Sequence, residues 1–235
     1  MRIILIAALA LALSATAVQA EGSSGRGRIV GDEPSSRASI WAGAYAGLNI
    51  GYAWGGVDVR DTNGGVLPGP FSYDTDGFTG GATLGYNHQI NGIGLGFEIE
   101  GGYMDSRGSG KIPSSTPPNF QAIDLDGGWY GIAAGRLGFT IGNALIYGKG
   151  GWAYWDTSAG QKTTKPGYIT HRTDGFQGIV YGGGVEHLLT DRVSIRVEYL
   201  HFNFGSEIGD QESTGDTPIG FKYLNKHDVS VDTVK

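Results

Sequence analysis

The chain has 235 residues, a formal net charge of −6 and no cysteine. The acidic balance argues against a nucleic-acid partner, which needs a basic face. No disulfide scaffold is available, and past the first residues no apolar run reaches the 18 or more positions of a spanning helix.

Met1-Arg2 forms a positive start, Ile3–Leu13 an apolar stretch, and Ala17-Val18-Gln19-Ala20 ends in small residues. This pattern predicts a signal peptide over residues 1–20, cleaved after Ala20. Residues 21–40, rich in Gly, Ser and charge, read as a flexible periplasmic leader. Residues 41–235 read as one β-barrel domain.

Within Gly43–Trp54 every second residue is apolar: Ala44, Ala46, Leu48, Ile50, Tyr52 and Trp54. Gly47, Asn49 and Gly51 lie between them. Period two is the signature of a strand with one oily face. The rhythm returns in Gly77–His88, Ile93–Met104, Gly127–Phe139, Ala144–Trp155, Phe176–Leu188, Val193–Phe204 and Asp228–Lys235. Segments of about 9–11 residues cross a bilayer as tilted strands. Glycine, 43 residues, lies far above its usual share and falls inside these segments, where barrels need close packing and curvature.

Three connectors are short: Ile90-Asn91-Gly92, Thr140-Ile141-Gly142-Asn143 and Leu189-Thr190-Asp191-Arg192. Four are long: Gly55–Asp76, Asp105–Asp126, Asp156–Gly175 and Gly205–His227. Short and long alternate, as periplasmic turns and external loops do. The expected fold is an all-β, eight-stranded antiparallel transmembrane barrel whose last strand reads as truncated.

A soluble barrel would turn its apolar face inward. Here the alternate face carries the charge, and aromatic residues gather near segment ends: Trp41, Tyr52, Trp54, Phe78, Tyr86, Tyr103, Trp129, Phe139, Trp152, Tyr154 and Tyr199. That is the layout of interfacial girdles, with Trp41, Tyr52, Trp54, Trp129, Trp152, Tyr154 and Tyr199 as principal members. On the lumen face fall Glu98, Glu100, Arg136, Lys149, Glu186, Arg196 and Glu198. Unpaired charges in a narrow lumen are costly, so these are expected to pair across strands as an interior ion network. A plug of ion pairs is the favoured reading, and a narrow porin or ion path the alternative.

No catalytic, cofactor-binding or metal-binding residue is expected. His88, His171, His187, His201 and His227 show no metal-ligand spacing. A lipid-modifying enzyme would need a histidine, a serine and an acid near the membrane edge, and His227-Asp228-Val229-Ser230 is the nearest candidate. The clusters Gly92–Gly96 and Gly182–Gly184 open no helix, so a phosphate-loop reading fails. Lys162, Lys165 and Arg172 make the third long loop basic and able to touch lipopolysaccharide phosphates.

The segment Trp41–Gly55 resembles the first strand of the small outer-membrane β-barrel family, which includes immunogenic porin-family proteins of alphaproteobacteria. Gly135–Phe139 and Tyr147–Tyr154 resemble its fourth and fifth strands, and Gly182–Tyr199 its sixth and seventh. The architecture is similar to the OmpA transmembrane domain. The resemblance implies a structural, non-enzymatic protein of the Gram-negative cell outer membrane, acting in envelope integrity and surface contact through four long loops. Its implied partners are outer-membrane lipids and lipopolysaccharide, the outer-membrane insertion machinery, and host or surface ligands. Family members usually end on an aromatic residue, commonly Phe, whereas this sequence stops at Val231-Asp232-Thr233-Val234-Lys235.

Overall fold

The computed structural model describes residues 14–17, 40–61, 71–113, 120–163, 172–212 and 222–235. No helix among them is long and apolar enough to cross a membrane. Their regular elements are strands: β1 Ser14–Ala17, β2 Gly43–Asp61, β3 Phe71–Ile90, β4 Ile93–Met104, β5 Gly108–Pro113, β6 Phe120–Leu125, β7 Gly128–Ile141, β8 Ala144–Thr163, β9 Arg172–Thr190, β10 Val193–Glu212 and β11 Lys222–Val234.

Eight of these close a ring in the order β2–β3–β4–β7–β8–β9–β10–β11 and back to β2. Every pairing in it is antiparallel. Closure matters physically, because only a sheet without free edges satisfies its own backbone where no water reaches. The hairpin β5–β6 stands outside the ring, with β6 pairing β8 from Gln121↔Thr163 to Leu125↔Ala159.

The turns set the register. Ile90 pairs Ile93 across Asn91 and Gly92, whose φ values are 48° and 85°. Two left-handed residues make the tight turn that matches strand twist, and Asn-Gly is the sequence best suited to it. Ile141 pairs Ala144 around Gly142 and Asn143, a two-residue turn in which only the glycine has positive φ (59°). At the third turn the Thr190 hydroxyl accepts from the backbone N–H of Arg192 at 3.3 Å and of Val193 at 3.1 Å.

Seven of the eight ring strands run past the boundaries expected from the sequence, and only β4 keeps them. Gly55–Asp61 and Phe71–Asp76 belong to β2 and β3 rather than to a connector. The cause is an inversion of the alternation. On β2, Leu48 faces out and Asn49 in, whereas further along Val57 faces in and Asp58 out. On β3, Leu84 is out and Thr83 in, whereas Tyr73 is in and Asp74 out. Pairing continues unbroken through the switch. The remaining tips, 62–70, 114–119, 164–171 and 213–221, lie outside the described residues, with Lys165 and His171 among them; the same holds for 1–13 and 18–39, most of the expected signal peptide and leader.

β1 falls within the segment read as a signal peptide. Val234 lies opposite both Tyr199 of β10 and Tyr52 of β2. Beyond it Lys235 exchanges backbone hydrogen bonds with Glu198 at 2.8 and 2.9 Å. The ladder then passes to β1, where Ser14 pairs Arg196 and Ala15 pairs both Ile195 and Leu48. In the uncleaved chain β1 thus lies in line with β11, between the edges of β10 and β2.

The outer face carries Leu48 at 67% exposure, Phe78 at 69% and Trp129 at 66%, with Leu84, Leu95, Phe97, Leu137 and Ile179 also exposed. In water such a belt would be strongly unfavourable, at roughly 25 cal/mol per Å² of apolar surface. It requires an apolar surrounding. The lumen face is filled in three tiers. Trp41, Leu145 and Tyr147 pack together at the short-turn end. Buried charged residues fill the middle. Val57, Met104, Tyr130, Trp155, Phe176, Phe202, Phe204, Val229 and Val231 belong to one apolar cluster toward the long-loop end.

Candidate functional site

The middle tier is built from residues at alternate positions on five strands. β4 contributes Glu98 and Glu100, β7 Arg136, β8 Lys149, β9 Glu186, and β10 Arg196 and Glu198. All seven are buried. Antiparallel pairing brings strands distant in sequence side by side, and ring closure places β4 opposite β10 across the lumen.

Glu98 is the hub. Its Oε2 accepts from Tyr45 OH at 2.7 Å, from Arg196 Nη1 at 2.8 Å and from Arg136 Nη1 at 3.5 Å. Its Oε1 accepts from Lys149 Nζ. Lys149 also reaches Glu100 at 3.4 Å and Glu198 at 3.2 Å. Arg136 turns its other terminal nitrogen to Glu186 at 2.8 Å, and Glu186 accepts from the Ser194 hydroxyl at 2.6 Å. The Arg136 guanidinium lies over the Tyr147 ring, 3.9 Å from its centroid. Tyr130 and Tyr147 donate to Glu100 and Glu198, both at 2.7 Å.

Sequence reasoning missed one charged member. Lys235 is buried, its ammonium paired with Glu100 and 3.9 Å from Glu198. The count thereby becomes four carboxylates against four cations, so the tier is neutral as well as paired. Charge neutrality and satisfied hydrogen bonds are the two conditions under which buried ions avoid a prohibitive desolvation cost. The signal for Lys235 was present: it keeps phase with Val229, Val231 and Thr233, which all face inward. Tyr45, Tyr130 and Tyr147 were missed because a lumen tyrosine resembles any core aromatic until its acceptor is placed.

Oxygens of Glu98, Glu100 and Glu198 lie within 4.8 Å of one another, a spacing that suits a metal ion. Lys149 and Lys235 already supply the positive charge there. The residues therefore fit a proton-bearing ion cluster, and nothing in their arrangement requires a metal.

The aromatic residues divide. Tyr52, Trp54, Trp129, Trp152, Tyr154 and Tyr199 face outward near the long-loop end. They stack in pairs with each other or with neighbours: Tyr52–Phe78 and Tyr103–Trp129 edge-on at 5.6 Å, Trp152–Tyr154 at 6.4 Å and Trp54–Tyr199 at 6.5 Å. Trp41 is a correction. It is 4% exposed and packs with Leu145 and Tyr147 at the short-turn end, so it belongs to the lumen rather than to a girdle. It precedes the first strand and caps the ring opening, with its backbone N–H donating to Gln89 Oε1 at 3.1 Å.

His88 and His187 face outward near the short turns, and His201 faces outward within the aromatic zone. The side chains of His227, Lys162 and Arg172 lie outside the described residues, so the His227–Ser230 candidate and the basic loop gain no geometry.

The family model described as "Outer membrane protein beta-barrel domain" matches residues 4–231. The 31 kDa outer-membrane immunogenic protein of Brucella melitensis is 27% identical over 222 residues, covering 87% of this chain and 88% of the relative. The 22 kDa outer membrane protein of Rhizobium leguminosarum bv. viciae is 28% identical over 185 residues, covering 77% and 73% respectively. The crystal structure of OprG from Pseudomonas aeruginosa is 12% identical, with a TM-score of 0.49 over 82% of this chain and 93% of that chain.

Proposed function

We propose that this chain, which belongs to the outer-membrane protein β-barrel family, is a closed structural barrel that conducts no solute. It resides in the cell outer membrane. Its role is to support the envelope and to present the long connectors at the cell surface. A signal peptide over residues 1–20 exports it, and the insertion machinery places it in the membrane.

One observation carries the closed reading. The charged tier is not open to either end: Trp41, Leu145 and Tyr147 pack below it, and Trp155, Phe176, Phe202 and Phe204 belong to the cluster above it. An ion crossing that upper tier would shed its hydration against aromatic rings, at a cost of several kcal/mol or more. Surface contact fits the same architecture. A rigid ring ends in long connectors free to vary, and relatives bear names that call them immunogenic. Host or surface ligands and lipopolysaccharide are the partners such connectors would meet.

Planar-bilayer recording of purified, folded protein tests the proposal. The expected record is flat. Discrete, reproducible conductance steps that scale with protein concentration would overturn it in favour of a narrow porin.

A further inference from the structure

Toward the long-loop end the ring of strands divides. β9 and β10 pair only as far as Ile179 and Asn203. Beyond those residues β9 pairs β8 alone, and β10 pairs β11 alone. Across the ring from this seam, β3 and β5 run close together, so that a Cβ at Gly108 would lie 2.5 Å from Thr75 Cγ2. Among the described residues those two strands share no ladder, only the isolated bridge of Asp76 and Arg107. The external part is therefore two four-stranded sheets, β10–β11–β2–β3 and β5–β6–β8–β9. Connectors 62–70 and 213–221 join strands of the first sheet, and 114–119 and 164–171 join strands of the second. The chain links the two sheets only through the ring below.

Both edges of the β9–β10 seam bend where it starts. The β10–β11 register shifts between Asn203 and Ser206, around Gly205 (φ 67°). The β8–β9 register shifts between Trp155 and Ser158, opposite Gly175 (φ 79°). Such bulges turn a strand and interrupt its ladder, and glycine takes a positive φ without strain. Past the last rung, side-chain packing holds the sheets together here. Val57, Tyr73 and Phe204 of one sheet share a buried cluster with Leu125, Trp155 and Phe176 of the other. The Trp155 and Phe204 rings meet with centroids 5.7 Å apart. The β3–β5 seam is held more firmly. Asp76 and Arg107 exchange backbone hydrogen bonds at 3.0 and 3.1 Å, and the buried Ser106 hydroxyl donates to Thr75 Oγ1 at 3.2 Å. A boundary with few backbone bonds across it opens at lower free energy than a laddered one.

We propose that the two sheets are jaws that part along the β9–β10 seam, bending at Gly175 and Gly205, and open the apolar tier to the exterior. The β3–β5 bridge holds the opposite side together as they move. The ionic tier and the Trp41 cap stay in place, so the opened cleft faces one side of the membrane. Its walls offer an incoming group aromatic and aliphatic surface. The motion is independent of whether the lumen conducts.

The test is amide-nitrogen relaxation dispersion by NMR on the full chain, folded in detergent micelles. Hinge motions of packed elements fall in the μs–ms range that this measurement reads. Phe176–Gly178 on one edge and Phe204–Ser206 on the other should show exchange with one shared rate and one minor state, populated at about 1–10%. The β4–β7 ladder from Leu95 to Glu100 should be flat. Phe204→Ala, which removes the ring contact across the seam, should raise the minor population about three- to tenfold. Trp152→Leu, whose ring stacks on Tyr154 on the outer face, should leave it unchanged. Flat profiles at both edges, unequal rates on the two edges, the same exchange in the β4–β7 ladder, or no response to Phe204→Ala would overturn the proposal. Conductance from a barrel whose two edges still exchange together would overturn the closed-lumen reading alone.

Discussion

Arg196 on β10 and Glu98 on β4 meet across the lumen at 2.8 Å, although 98 positions separate them in sequence. The pair ties opposite walls of the ring, and Glu98 simultaneously holds Arg136 and Lys149. Removing this carboxylate takes from Arg196 its one ion-pair partner among the described residues, whereas Arg136 keeps Glu186 and Lys149 keeps Glu100 and Glu198. Glu98→Gln should destabilise the folded barrel by about 3–5 kcal/mol, the cost of breaking a buried pair while leaving its partner charged. Urea titration of protein in detergent micelles, read by tryptophan fluorescence, measures it. The double variant Glu98→Gln/Arg196→Gln should lose less than the two single losses combined, because the second change relieves an uncompensated charge.

The facing assignment predicts different outcomes at neighbouring positions. Leu48 is 67% exposed on the outer face, whereas Asn49 is buried and donates to Thr83. Leu48→Arg should cost about 2–4 kcal/mol near the bilayer midplane, by placing a cation in hydrocarbon. Asn49→Arg should act through crowding and an unbalanced lumen charge. Refolding yield into lipid vesicles distinguishes them: thinner bilayers should rescue Leu48→Arg and leave Asn49→Arg impaired.

Two adjacent glycines make the same point sterically. A Cβ on Gly151 would lie 2.1 Å from the carbonyl oxygen of Ala133, while one on Gly150 would meet nothing closer than 4.0 Å. Gly151 faces the lumen side, where the neighbouring strand backbone crosses close by, and Gly150 faces out. Gly151→Ala should shift the urea midpoint to markedly lower concentration. Gly150→Ala should change stability by less than about 1 kcal/mol. Equal effects would contradict the packing of β7 against β8.

The apolar tier predicts a gain of conductance. Phe202 is fully buried and stacks on Phe204 with centroids 5.7 Å apart. Replacing both by serine removes two rings from the lumen plug and supplies hydroxyls that can hold water. Bilayer recordings should then show conductance steps absent from the parent. Silence from a folded double variant would mean that the ionic tier closes the barrel by itself.

Much of this architecture was legible before any coordinates. The turn at Asn91-Gly92 was readable because two residues tolerating positive φ join alternating segments, and β4 begins and ends where its pattern does. Strand lengths were not readable beyond Trp54, because the solvent on the outer face changes there. Asp58 and Asp74 replace apolar residues outside while Val57 and Tyr73 become the apolar residues inside. The period persists as its phase reverses, and a search for an oily outer face stops at the reversal. Trp41 was misplaced for a related reason: position near a strand end cannot distinguish an outer ring from a lumen cap.

By itself, the sequence determined the period, the hairpin spacing and the face that bears charge, since each follows from local stereochemistry and from polarity along a single strand. The tertiary structure alone decided which charges meet. Glu98 finds Arg196, Arg136 and Lys149, and Glu100 finds Lys235, through ring closure and the stagger between strands. Those are properties of eight strands together, set by backbone pairing around the whole circumference. The same closure gathers aromatic residues from several strands into the tier that seals the lumen.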